Sequence, residues 1–100
     1  MRRIIILAAL ILVSSTAQSF EYSYEKAVKK QLRDPASAQF TSVDLYSGGP
    51  AQVYCGYVNA KNGFGGYTGK KEFIAAGDVA FIRGQMDDRE FVKTWKAFCK

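Results

Sequence analysis

The chain has 100 residues, of which 48% are hydrophobic, 23% charged and 14% aromatic, with a formal net charge of +5. That length holds one domain, and that balance excludes wholesale disorder. There is no histidine, which excludes the Ser-His-Asp and Cys-His nucleophile arrangements and removes the commonest metal ligand.

The first residues account for part of the charge. Met1-Arg2-Arg3 precedes an unbroken apolar run from Ile4 to Val13, followed by Ser14-Ser15-Thr16-Ala17-Gln18-Ser19. A basic start, an apolar stretch and a small-residue zone make a signal peptide. As a helix the apolar run covers roughly 15 Å, about half a hydrocarbon core, so it is too short to span a membrane comfortably. Cleavage after Ala17 and cleavage after Ser19 both place small residues correctly, and the second is preferred. Residues 1–19 are thus expected to be removed and residues 20–100 to form a single domain, periplasmic or secreted, with no transmembrane segment. Without Arg2 and Arg3 the fourteen basic residues become twelve against nine acidic, a side-chain charge of +3. The basic balance then loses most of its force as a sign of nucleic-acid binding.

A domain this small supports only a marginal core and often carries a covalent staple. Cys55 and Cys99 are the only cysteines, and an exported destination is oxidising. Together they close about 45 residues, for which chain entropy gives on the order of 4 kcal/mol. A structural disulfide is expected, since a redox or nucleophilic thiol would lack both a CxxC spacing and a histidine.

Along the chain, Tyr24, Val28 and Leu32 recur at helical spacing, with Ser23 as N-cap and Asp34-Pro35 as the stop. Phe40 to Tyr46 reads as a first strand with Thr41, Val43 and Leu45 on one face. After Ser47-Gly48-Gly49-Pro50, residues Ala51 to Ala60 read as a second strand, with Val53, Cys55 and Tyr57 on one face and Tyr54, Gly56 and Val58 on the other. A glycine-rich connection containing Asn62-Gly63, a hairpin signal, leads to a third strand from Tyr67 to Ala75. A turn at Ala76-Gly77-Asp78 leads to a fourth, Val79 to Arg83. Asp87 starts a final helix, with Glu90 completing a capping box and Phe91, Val92, Trp95, Phe98 and Cys99 facing inward. The order predicts an α+β fold: a four-stranded antiparallel meander flanked by N-terminal and C-terminal helices, packed on a single face of the sheet.

Three patterns invite chemical readings. The glycine cluster fails as a phosphate loop, because G-x-G-x-x-G from Gly63 needs glycine where Thr68 stands and a Walker sequence ending at Lys70 needs glycine at Phe64. It reads instead as a bulged hairpin with Phe64 and Tyr67 folded back onto the sheet, or as an exposed recognition loop presenting Lys61, Asn62, Phe64, Tyr67, Lys70 and Lys71. Asp87-Asp88-x-Glu90 supplies too few oxygens for a divalent metal and suits a helix start. Lys26, Lys29, Lys30 and Arg33 read as a solvated helix face, with anionic lipid or an acidic protein as the alternative contact. No metal, cofactor or nucleic acid is expected.

Two stretches carry a resemblance. Lys29-x-x-Leu32-x-Asp34-Pro35-x-Ser37-Ala38-x-Phe40 and Cys55-Gly56-x-Val58-Asn59-Ala60-Lys61-Asn62-x-Phe64-Gly65-Gly66-Tyr67-x-Gly69, with Phe73 after it, are similar to an uncharacterised family of small exported bacterial proteins, many of them prophage-associated. They span Lys29 to Phe73. Members usually carry serine-like residues at the position of Gly63, which makes the Asn62-Gly63 turn a local variant. The resemblance implies an exported small domain and brings no enzymatic activity. Physically, Leu32 and Phe40 bracket the Asp34-Pro35 break so that helix and first strand pack at a fixed angle, and Asn59 and Asn62 are suited to bond their own backbone and hold the glycine loop.

The sequence therefore leads to a non-enzymatic periplasmic interaction module, of inhibitor or immunity-like type and encoded by a mobile element. It would bind an envelope protein through the loop from Lys61 to Lys71. The rival expectation is direct binding of an anionic envelope component, lipopolysaccharide or peptidoglycan. A hydrolase using carboxylates stands behind both, because such pairs assemble through space and leave no sequence motif.

Overall fold

The computed structural model describes residues 21–47, 49 and 51–99; the expected signal peptide lies outside them. The elements run α1 (Ser23–Lys29), a 3₁₀ turn (Pro35–Ser37), β1 (Gln39–Tyr46), β2 (Val53–Asn59), β3 (Lys71–Ala76), β4 (Val79–Ile82) and α2 (Asp88–Phe98). The four strands form one antiparallel sheet in the order β1-β2-β3-β4. The expected α+β meander with a helix at either end is the fold. Among the described residues no helix is long and apolar enough to cross a membrane.

The helices cover opposite faces of the sheet, not one. Side chains alternate along a strand, so Tyr54 and Val58 of β2 share a face with their neighbours Phe73 and Ala75 of β3 and with Ala80 and Ile82 of β4. That face packs on Tyr24, Ala27 and Val28 of α1, with Leu32, Phe40 and Val43 at its border. The other face, Val53, Cys55 and Ile74, packs on Phe91, Trp95 and Cys99 at the far end of the chain. A β2 strand that is apolar on both faces needs cover on both. The expected division of β2, with Val53, Cys55 and Tyr57 opposed to Tyr54, Gly56 and Val58, is what makes this arrangement possible.

Tyr24 is the hub of the α1 face. Its ring lies 4.8 Å from Tyr54, 5.5 Å from Phe40 and 5.8 Å from Phe73, centroid to centroid, within the range where aromatic pairs attract. Burial pushes its hydroxyl pKa up, with the charge of Glu25 adding to the effect. On the other face Trp95 stacks with Phe91 and tilts towards Tyr57. Cys55 of β2 is bonded to Cys99, just beyond α2, with Cα atoms 5.9 Å apart and a sequence separation of 44. The bond ties the last helix to an inner strand, as expected.

Three local expectations are corrected. α1 is shorter than the apolar spacing suggested and has Tyr22, not Ser23, at its N-cap. Its end tightens into i→i−3 bonds, Gln31 N–H to Val28 O and Leu32 N–H to Lys29 O, so Leu32 reaches the core from a turn before Pro35. In β1, Thr41 does not share a face with Val43 and Leu45. Thr41 pairs with Tyr57 and Asp44 with Cys55, so Ser42 and Val43 together oppose Gly56. This bulge, with Ser42 at φ 51°, shifts the alternation by one residue and puts Val43 and Leu45 on the α1 side with Tyr54, Leu45 standing 49% exposed there.

α2 begins as expected at Asp87, whose carboxylate accepts the Glu90 N–H at 3.1 Å. The hairpin between β3 and β4 pairs Ala76 with Val79, and Gly77 takes φ 61°, as the first position of a two-residue turn of this kind demands.

Candidate interaction site

The segment from Asn59 to Lys71 extends the β2–β3 hairpin beyond the sheet. Lys61 and Tyr67 form an isolated antiparallel bridge, and the Thr68 N–H donates to Ala60 O at 3.3 Å. Between that bridge and the Val58–Lys71 pair, Asn59 and Ala60 face Thr68, Gly69 and Lys70. The extra residue makes a bulge, and Gly69 absorbs it at φ 100°. The Asn59 side chain replaces the lost ladder bond by accepting the Gly69 N–H at 3.0 Å. β3 therefore starts at Lys71 and not at Tyr67.

The tip is a three-residue loop and not the two-residue Asn-Gly turn. The Gly65 N–H donates to Asn62 O and the Asn62 N–H to Gly66 O, and the positive φ falls on Gly65, at 85°. Asn62 Oδ1 accepts the N–H groups of Phe64 at 2.8 Å and Gly66 at 3.2 Å. One side chain thus satisfies two loop donors, as expected of an asparagine here.

The loop is braced from its base. Ser37 Oγ accepts the Lys61 N–H at 2.8 Å and donates to Asp34 O at 2.8 Å, while the Tyr67 hydroxyl donates to Ser37 O at 3.1 Å. Lys61 Nζ stands 5.6 Å from the Tyr67 ring centroid, a cation–π distance. Tyr67 is folded back, but onto the 3₁₀ turn and not onto the sheet. Phe64 is not folded back at all: it is 99% exposed at the tip.

Of the loop residues singled out from sequence, Lys61, Asn62, Phe64 and Tyr67 are brought together at one end of the molecule, and Lys70 and Lys71 lie on the return path to β3. Cys55 and Cys99 lie on the α2 side of the sheet and serve the fold.

Sequence reasoning missed the groove beside this hairpin. It has a volume of about 390 Å³ and lies between the turn after α1, the base of the hairpin and the end of β4. Val58, Ala60, Leu32 and Ile82 supply apolar lining; Lys30, Arg33, Lys61 and Lys71 supply cations. Among the described residues, none of these four cations makes an ion pair and no carboxylate lines the groove. The Gln85 side-chain amide donates to Gln31 O at 3.1 Å across it. Arg33 connects groove and hairpin: its Nη1 is 3.2 Å from the position a β-carbon on Gly63 would occupy. The available signal was the Lys30…Arg33 spacing, which is that of an ordinary solvated helix face.

A second charged cluster is internally paired, one guanidinium with two carboxylates. Arg83, in the turn after β4, donates through Nε and Nη2 to both carboxylate oxygens of Asp88, at 2.8 and 3.1 Å, and through Nη1 to Glu72 at 3.1 Å. The hydrogen bond from Arg83 holds the Asp88 carboxyl below its ordinary value, and the pairing pushes the guanidinium further up. Among the described residues, no three carboxylate or cysteine groups are placed to hold a metal ion.

The chain matches no known protein family, no curated protein and no solved structure.

Proposed function

We propose that this chain is an exported, non-enzymatic interaction module of the bacterial periplasm, of inhibitor or immunity-like type, which engages an envelope protein through the hairpin from Lys61 to Lys71. One observation carries the reading: a phenylalanine 99% exposed at the tip of a hairpin held by the Asn62, Asn59 and Ser37 hydrogen bonds. A large apolar side chain on mobile backbone would bind weakly, because ordering the loop costs conformational entropy. On braced backbone it is presented at little further cost, which is how aromatic anchors contribute most to an interface. The disulfide and the signal-peptide pattern support an oxidising destination.

The test compares the periplasmic protein with its Phe64→Ala variant as baits for periplasmic extract, with Lys93→Ala on α2 as a surface control. Loss of a captured protein with Phe64→Ala and its retention with Lys93→Ala is the expected result. Equal capture by all three baits, at matched thermal stability, refutes the hairpin as the binding element.

A further inference from the structure

We infer that the groove beside the hairpin receives an acidic peptide segment of the protein partner, with carboxylates placed among Lys30, Arg33, Lys61 and Lys71 and apolar side chains on the floor between them. The inference rests on the reading of the hairpin as a protein-binding element and names the chemistry its partner must present.

The charge distribution sets the sign of the ligand. Four cations from three separate parts of the chain line one depression, while the ion pairs of the described residues use other groups: Glu21 with Lys29, and Glu72 and Asp88 with Arg83. Like charges gathered in a concavity with apolar walls raise the local potential and concentrate anions. Arg33 can engage a carboxylate in two-pronged fashion, and the three lysines act as point charges.

The shape sets the class of ligand. The four cations line a depression with apolar residues Val58, Ala60, Leu32 and Ile82 in its wall, so its complement carries acidic and apolar groups at alternating positions. An inserted chain with apolar and acidic side chains complements both components. A free inorganic anion would satisfy the cations and leave the apolar wall unused. The side-chain amide of Gln31 adds hydrogen-bonding groups of the kind a peptide backbone needs. Because Arg33 lies under Gly63, groove and hairpin tip form one continuous face, so a partner gripping Phe64 passes the groove.

The experiment uses the periplasmic protein labelled with ¹⁵N and three probes: an acetylated peptide alternating glutamate and leucine, inorganic phosphate, and vesicles of phosphatidylglycerol and phosphatidylethanolamine. The peptide is expected to shift the amide signals of residues 30–33, 58–61 and 68–71. Combining Arg33→Gln with Lys71→Gln is expected to weaken peptide binding at least about tenfold, as the loss of charge-assisted hydrogen bonds implies. Lys93→Gln with Lys96→Gln on α2 should leave it unchanged. Absence of peptide binding, shifts confined to other residues, binding that the Arg33–Lys71 variant retains, or binding of phosphate or vesicles in preference to the peptide overturns the inference. If Phe64→Ala abolishes partner capture while the peptide fails to bind, the hairpin reading stands and the groove inference falls. If the peptide binds while Phe64→Ala leaves capture intact, the hairpin reading falls and the groove is a peptide site in its own right.

Discussion

Val43 is pressed against the backbone of Gly56: a β-carbon on Gly56 would stand 2.8 Å from Val43 Cγ2 and 2.9 Å from Val43 Cα. Gly56 opposes the two residues of the β1 bulge, and it is the missing side chain that lets the bulged strand close onto β2. Gly56→Ala is expected to destabilise the protein by about 2–3 kcal/mol and to lower Tm by roughly 10 °C or more. Adding Val43→Ala relieves the clash with the valine methyl but not the clash with the backbone of residue 43, so the double variant should recover little. Thermal melts of both variants by circular dichroism check this.

Among the described residues, Thr41 Oγ1 is buried without a hydrogen-bond partner. An unpaired hydroxyl keeps its desolvation cost and returns nothing for it, so Thr41→Val should be neutral or stabilising, by up to about 1 kcal/mol. Urea unfolding with an unchanged slope and a higher midpoint is the expected result, and a clear loss of stability would mean that the hydroxyl is satisfied.

Reduction of the Cys55–Cys99 bond should be felt first by α2. The helix is attached to the sheet through Phe91, Trp95, Phe98 and the disulfide itself. Breaking the bond is expected to cost on the order of 4 kcal/mol through the entropy restored to the unfolded chain. Trp95 is the sole tryptophan, so its fluorescence should shift to the red on reduction, ahead of changes in the β-sheet signal.

Asp88 gives stability an acid limb. Its folded pKa is held below its ordinary value by Arg83, so on acidification the unfolded chain takes up this proton first. The contribution is complete above the unfolded value of about 3.9 and disappears as pH falls through the folded one. Asp88→Asn and Arg83→Gln should each flatten this limb in urea titrations from about pH 2 to pH 7. With no histidine in the chain, side-chain titration should leave stability nearly level between about pH 5 and pH 8.

Ser37 governs how firmly the hairpin is held. Ser37→Ala removes the acceptor of the Lys61 N–H and should cost about 1 kcal/mol, with faster hydrogen exchange at Lys61. Exchange in the core of β2 should stay slow.

What the sequence revealed was local or strictly periodic. The Asp87 cap acts within one turn, the β2 alternation is uninterrupted, and two cysteines allow one pairing, so helix start, strand faces and staple were all legible. The helix faces were not, because a strand apolar on both sides does not state which helix covers which. The phase of β1 was lost at Ser42, since nothing in Thr-Ser-Val-Asp marks an extra residue. Phe64 was ambiguous between burial and display, a choice made by Gly65 adopting positive φ and by Ser37 bracing the loop from a distance. The groove was hidden altogether: its walls come from residues near 30, 60, 70 and 85, none of which signals the others.

The bulge at Ser42 also limits how the sheet can grow. β1 is an outer strand, and an unbroken outer strand offers a free row of amides and carbonyls to any extended chain. Here the regular ladder is split into Gln39–Thr41 and Asp44–Tyr46, each too short to template a new strand firmly, with Asp44 carrying charge on the edge. The opposite outer strand, β4, has four residues. Both margins are therefore poor templates for extension by a second copy or by an invading segment.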